Sequence, residues 1–177
     1  MTNRFLTILF LIFSFSYSTD AQEADENGFL VQVGNIAPLF TAELTDGTVF
    51  DLENQRGKIV MLQFTASWCS VCRKEMPYIE DDIWQKLKED NFILIGVDRD
   101  EALEVVLSYQ QKMEITYPLA LDPNAEIFGR YADLKAGVTR NVIIDENGEI
   151  IYLSRLFKLD EFYEMRDIIF KAVEKLH

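Results

Sequence analysis

Sulfur and imidazole are scarce in this chain: 177 residues contain two cysteines, Cys69 and Cys72, and one histidine, the terminal His177. A zinc site takes about four ligands, and these side chains do not supply them. A small exported fold held by disulfides carries several spaced pairs, so a single tight pair points to reactive rather than architectural sulfur. Positive charge is also in short supply, with 17 Lys and Arg against 30 Asp and Glu, a net charge of −13. Nothing basic is concentrated enough to neutralise phosphates, which excludes nucleic acid as a partner. The acidic balance reads as a solvated surface rather than as acid-mediated recognition. Internal repeats and low-complexity tracts are absent. At this length, with 49% hydrophobic residues, one domain around one core is expected.

The first 21 residues are a different material. Arg4 supplies a positive start, residues 5–15 are apolar apart from Thr7 and Ser14, and Ser18-Thr19-Asp20-Ala21 is small and polar. This is the pattern of a secretory signal peptide, and the apolar stretch is short of the roughly 20 residues of a membrane span. An uncleaved anchor is the competing reading. No cysteine lies near the cleavage region, which disfavours a lipid anchor. Cleavage after residue 21 removes Arg4 and Asp20 and leaves 16 basic and 29 acidic side chains, still −13. Residues 22–33 then form a flexible polar lead and 34–177 the folded domain.

Residues 40–44 and 48–52 around Asp46-Gly47 predict a β-hairpin. Residues 59–65 and 92–98 are apolar on both faces, as buried strands are. A helix is expected from the cysteines to about residue 88, with Met76, Ile79, Ile83 and Leu87 on its buried side and a kink at Pro77. A second helix, 101–112, buries Leu103, Val106 and Tyr109 or Gln110. A short strand at 117–122, a turn at Pro123-Asn124 and a short helix at 125–131 follow. Residues 137–145 predict a strand, which Glu146-Asn147-Gly148 turns into 149–153. A last helix over 160–176 buries Leu159, Phe162, Ile169, Val173 and Leu176. Strands alternating with helices predict an α/β sandwich with a central mixed sheet.

The apolar strand 59–65 runs through Ala66-Ser67-Trp68 straight into Cys69-Ser70-Val71-Cys72 at the head of a helix. Free N–H groups and the helix dipole favour a thiolate at Cys69. Thiols so placed have pKa values of roughly 3.5–7.5 instead of about 8.5. Cys72, one turn further on, can close a disulfide with Cys69. The pair therefore suits disulfide exchange, with Cys69 as nucleophile and Cys72 as resolving thiol.

Trp68-Cys69-Ser70-Val71-Cys72, followed by Arg73-Lys74-Glu75-Met76-Pro77, resembles the thioredoxin superfamily, and within it the TlpA/ResA-like thiol–disulfide oxidoreductases of bacterial envelopes. The likeness runs from about Gly34 to the C-terminus. Val33-Gly34-Asn35-Ile36-Ala37-Pro38-Leu39-Phe40 and Asp46-Gly47 are similar to the lead-in that this group shares with peroxiredoxins. The resemblance implies a thioredoxin-like fold and an exported, periplasmic oxidoreductase. Its partners would be disulfide-containing envelope proteins, among them apocytochrome c, and an upstream thiol reductant. No cofactor is implied.

It also implies that Trp68 belongs to the docking face and that Glu75 handles protons near the cysteines. By spacing alone, Glu75 could equally be a solvated helix acid. Many thioredoxins carry a buried aspartate six residues before the first cysteine. This chain has Gln63, which cannot take up a proton, so the base role falls to Glu75. Val138 and Thr139 occupy the loop that faces the cysteines and offers backbone to substrate. The family pattern has a cis-proline where Thr139 stands. A non-proline cis bond costs roughly 2.5–4 kcal/mol, so the Val138–Thr139 bond is either trans or strained. Ser70-Val71 replaces the Gly-Pro of thioredoxin and tunes the redox poise; the resemblance favours a reductant.

Two other functions compete. A peroxidase typically uses Pro-x-x-x-Thr/Ser-x-x-Cys, and Leu62 and Ala66 stand at its proline and hydroxyl positions. A non-catalytic interaction domain on the same scaffold would have no need of an intact cysteine pair.

Overall fold

The computed structural model describes residues 23–177; the expected signal peptide lies outside them. Strand β3 (Ile59–Thr65) is the centre, with all seven residues buried. β4 (Phe92–Arg99) pairs with it in parallel and β5 (Leu119–Asp122) extends that side in parallel. β6 (Arg140–Ile144) and β7 (Ile150–Arg155) extend the other side antiparallel, giving the order β5-β4-β3-β6-β7. The expected hairpin is β1 (Thr41–Glu43) and β2 (Val49–Asp51). Asp46 Oδ1 accepts from Thr48 N at 2.9 Å, and Gly47 takes the positive φ of +82° that the turn requires.

Alternate side chains of β3 serve two cores, as a pleated strand covered on both faces must. Ile59 and Met61 pack with Met76, Ile79, Ile83, Tyr109 and Phe162. Val60, Leu62 and Phe64 pack on the opposite face with Phe40, Phe50, Phe128 and Tyr131. The first face is covered by α1 (Ser70–Ile79), α3 (Leu103–Met113) and α5 (Leu159–Glu174). The second lies under the hairpin and the short α4 (Phe128–Tyr131). Among the described residues no helix is long and apolar enough to cross a membrane.

The expected single helix is interrupted. α1 passes into a π-turn, Glu80–Trp84, before α2 (Gln85–Leu87). Pro77 has no N–H to give, and Glu80 N reaches back to both Met76 O and Pro77 O. Met76, Ile79, Ile83 and Leu87 remain buried as expected.

Two helix-face expectations fail. Leu103 and Leu159 are each the first residue of their helix and stay exposed, short of the packed part. The segment expected to be a flexible lead also packs. Asp25 Oδ1 accepts from Phe29 N at 2.7 Å, Phe29 bridges to Ala132, and Phe29 and Val31 are buried. Two apolar side chains at alternate positions suffice to draw it onto the second core.

Candidate active site

Cys69 is the N-cap of α1, with extended backbone (φ −82°, ψ 105°), and its Sγ accepts from Cys72 N at 3.1 Å. The free end of the helix therefore points at this sulfur. Cys69 and Cys72 form a disulfide across a Cα–Cα distance of 5.3 Å. The pair is largely enclosed: Cys69 is 7% exposed and Cys72 fully buried. The surface beside them comes from Trp68, 58% exposed, and from Ser70. The turn before the helix is pinned on both sides. Ser67 donates from N and Oγ to Glu101, and its carbonyl accepts from Arg73 Nη1.

Thr139 reaches the same sulfurs from the loop before β6. Its Oγ1 lies 3.1 Å from Cys69 Sγ and 3.3 Å from Cys72 Sγ. Val138 and Thr139 are both buried, and no peptide bond among the described residues is cis, so the Val138–Thr139 bond is trans. Arg140, fully buried, holds this loop from behind. Nη1 donates to Gly137 O at 2.6 Å and Nη2 donates to Asn27 O. The guanidinium lies 4.7 Å from the Phe29 ring centre and 5.8 Å from that of Phe128. Burial lowers its pKa to about 10. Gly28, at φ +80°, is required at this crossing, because a Cβ there would come within 2.8 Å of Arg140 Nη2.

Glu75 turns inward from α1 onto the sheet. Asn141 Nδ2 donates to its Oε1 at 2.7 Å, and burial raises its pKa from 4.5 to about 7. Gln63, paired across the strands with Asn141, also bears on this carboxyl. Among the described residues, neither Gln63 Nε2 nor Glu75 Oε2 has a partner in full hydrogen-bond geometry. Gln63 Oε1 accepts from Tyr117 Oη at 2.7 Å. Gly96 leaves room for that ring, since a Cβ there would meet Leu119 at 2.3 Å and Tyr117 at 3.3 Å. A second buried acid, Asp98, is fully enclosed, and among the described residues neither of its oxygens has a hydrogen-bond partner. Burial first, then the charge of Glu101, raises its pKa to about 8.

The structure thus brings Cys69, Cys72 and Thr139 into contact, sets Val138 beside them in the chain, and puts Trp68 at the surface. Glu75 lies one turn along α1 in the interior. Arg140, Asn141 and Asp98 have no counterpart among the sequence expectations; the runs Thr139-Arg140-Asn141 and Asp98-Arg99-Asp100 are polar ends of otherwise apolar strands, the signal that marks them. Among the described residues no three His, Cys, Asp or Glu side chains are grouped to hold a metal. Leu62 and Ala66, at the positions of the peroxidase motif, are buried apolar side chains without a hydroxyl.

A disulfide at the head of a helix, beside a five-stranded mixed sheet with helices on both faces, defines a thioredoxin-fold thiol–disulfide oxidoreductase. Residues 32–168 match the Redoxin family. The chain is 31% identical over 157 residues to thiol-disulfide oxidoreductase ResA of Oceanobacillus iheyensis, covering 84% of this chain and 79% of that one. With ResA of Bacillus cereus the identity is 31% over 121 residues, 68% of each. The solution structure of a putative protein disulfide isomerase from Bacteroides thetaiotaomicron superposes with a TM-score of 0.81 at 53% identity, covering 83% of this chain and 93% of that chain. The chain belongs to the redoxin family, and within it to the TlpA/ResA-like thiol–disulfide oxidoreductases.

Proposed function

We propose that this protein is exported to the periplasm, where it reduces disulfides of envelope proteins and is itself recharged by an upstream thiol reductant. Apocytochrome c, whose cysteines must be reduced, is one substrate of the right chemistry. The observation that carries the reading is Cys72 N donating to Cys69 Sγ at the helix head. Export rests on the pattern of residues 1–21.

The Cys69 thiolate attacks a substrate disulfide and forms a mixed disulfide; the departing substrate sulfur takes up a proton. Cys72 passes its proton to Glu75 and attacks Cys69 Sγ. The Cys69–Cys72 bond forms, the mixed disulfide breaks, and two electrons have moved to the substrate. A carboxyl with a pKa of about 7 populates both protonation states near neutral pH, as a proton acceptor for this step should. Trp68 offers the flat apolar surface for docking, and the backbone at Val138 and Thr139 faces the incoming chain.

The test is insulin reduction with dithiothreitol, beside peroxide consumption. Wild type should reduce insulin, Cys69→Ser should be inert, and Cys72→Ser should accumulate a mixed disulfide. Peroxide consumption without insulin reduction would overturn the assignment. The reduction potential of the pair decides direction, and a value more oxidising than the substrate's would reverse it.

A further inference from the structure

One hydroxyl touches both sulfurs. Thr139 Oγ1 stands 3.1 Å from Cys69 Sγ and 3.3 Å from Cys72 Sγ in a residue that is 4% exposed. The backbone holds it there, because Leu156 N donates to Thr139 O at 3.2 Å and Arg140 grips Gly137 O two residues earlier. A hydroxyl has a single proton and rotates to suit its acceptor, so it serves one sulfur at a time. Neutral sulfur is a weak acceptor, whereas an ionised partner makes a hydrogen bond roughly twice as strong. The contact is therefore worth little in the disulfide and much more once a sulfur carries charge.

We propose that Thr139 is a catalytic residue whose hydroxyl follows the negative charge between the two sulfurs. It donates to the Cys69 thiolate in the reduced protein. It then turns to Cys72 in the mixed disulfide. This deepens the exchange mechanism above and rests on it. In the reduced protein the Cys69 thiolate has two donors, Cys72 N–H and the Thr139 hydroxyl. When Cys69 bonds to substrate its charge passes to the departing sulfur, and the hydroxyl is free to rotate. Cys72 then ionises, is stabilised by that same proton, and attacks. Thr139 gives up no proton at any step; it only redirects one.

Thr139→Val keeps the branched shape and removes the hydroxyl, while Thr139→Ser keeps the hydroxyl. In a Cys72→Ser background, the pH profile of iodoacetamide alkylation reports the Cys69 thiolate directly. Losing one hydrogen bond to a charged group should move that profile up by about one pH unit in Thr139→Val. Thr139→Ser should restore the wild-type profile. In the two-cysteine protein, equilibrium with glutathione should shift about tenfold toward the disulfide in Thr139→Val, about 30 mV more reducing. A Thr139→Val profile that overlays wild type overturns the proposal. So does a Thr139→Ser profile displaced as far as Thr139→Val, since packing rather than the hydroxyl would then be responsible. The alkylation profile needs no disulfide substrate. Failure of wild type to exchange with glutathione or insulin would instead remove the oxidoreductase mechanism, and the two failures are told apart.

Discussion

Asn141 Nδ2 donates to Glu75 Oε1 at 2.7 Å and to Ser154 Oγ at 3.0 Å, so one strand amide ties the acid of the cysteine helix to the neighbouring edge strand β7. The bond favours the ionised carboxyl, yet burial outweighs it and the pKa stands at about 7 against an ordinary 4.5. Between those two values the folded chain holds a proton that the unfolded chain has released. Stability therefore falls as pH rises through this window, at ~1.4 kcal/mol per unit and by ~3 kcal/mol in all. Glu75→Gln should be the more stable protein at pH ~8, by up to that amount, and close to wild type at pH ~4. Urea denaturation at both pH values checks this; an unchanging difference would count against it. The same variant should release mixed disulfide more slowly at neutral pH.

Asp98 has the same sign and a different neighbourhood. Burial and the charge of Glu101 raise its pKa from 3.8 to about 8, and among the described residues neither of its oxygens has a hydrogen-bond partner. The folded chain again binds a proton that the unfolded chain has lost, so this acid erodes stability as pH climbs between those values. Asp98→Asn should raise the urea midpoint at pH ~9 more than at pH ~5. A variant less stable than wild type at the higher pH would show that the charge is compensated.

The legible parts of this fold are those specified by near neighbours. Strand β3 announces itself by apolar residues on both faces, the hairpin by Asp46-Gly47, and the redox site by two cysteines at the junction of strand and helix. What could not be read depends on partners far along the chain. Spacing puts Glu75 on α1, but its burial is decided by Asn141, 66 residues later. Arg140 looks like an ordinary strand-edge charge until Asn27, 113 residues earlier, closes over it. Phe29 and Val31 have too few apolar neighbours in sequence to mark a core, and they become one only against Tyr131 and Ala132. Thr139 stood out as a departure from a family pattern, and its contact with both sulfurs required the loop to be in place.

Glu80 anchors the π-turn. It accepts from Thr116 N at 2.8 Å, Thr116 Oγ1 at 2.7 Å and Gln85 Nε2 at 2.6 Å. Glu80→Ala leaves the Thr116 N–H without its acceptor and should cost about 1–3 kcal/mol. Glu80→Gln preserves one acceptor oxygen and should cost less. Thermal denaturation ranks the two; equal stability of Glu80→Ala and wild type would show that water replaces the carboxylate.

Arg140 separates charge from geometry. Among the described residues its guanidinium has no carboxylate partner; what it has is two carbonyls, Gly137 O and Asn27 O, and two aromatic faces. Arg140→Met removes the cost of burying a cation but orphans both carbonyls, at about 1–3 kcal/mol each. Arg140→Lys keeps the buried charge while losing the planar fork that reaches both acceptors and stacks on Phe29. Charge conservation therefore gains nothing, and Arg140→Lys should melt no higher than Arg140→Met, with both below wild type. Because Asn27 and Gly137 share this clamp, either variant should also speed proteolysis in residues 25–31. A lysine variant with wild-type melting and protection would mean that a positive charge alone holds the loop behind Thr139.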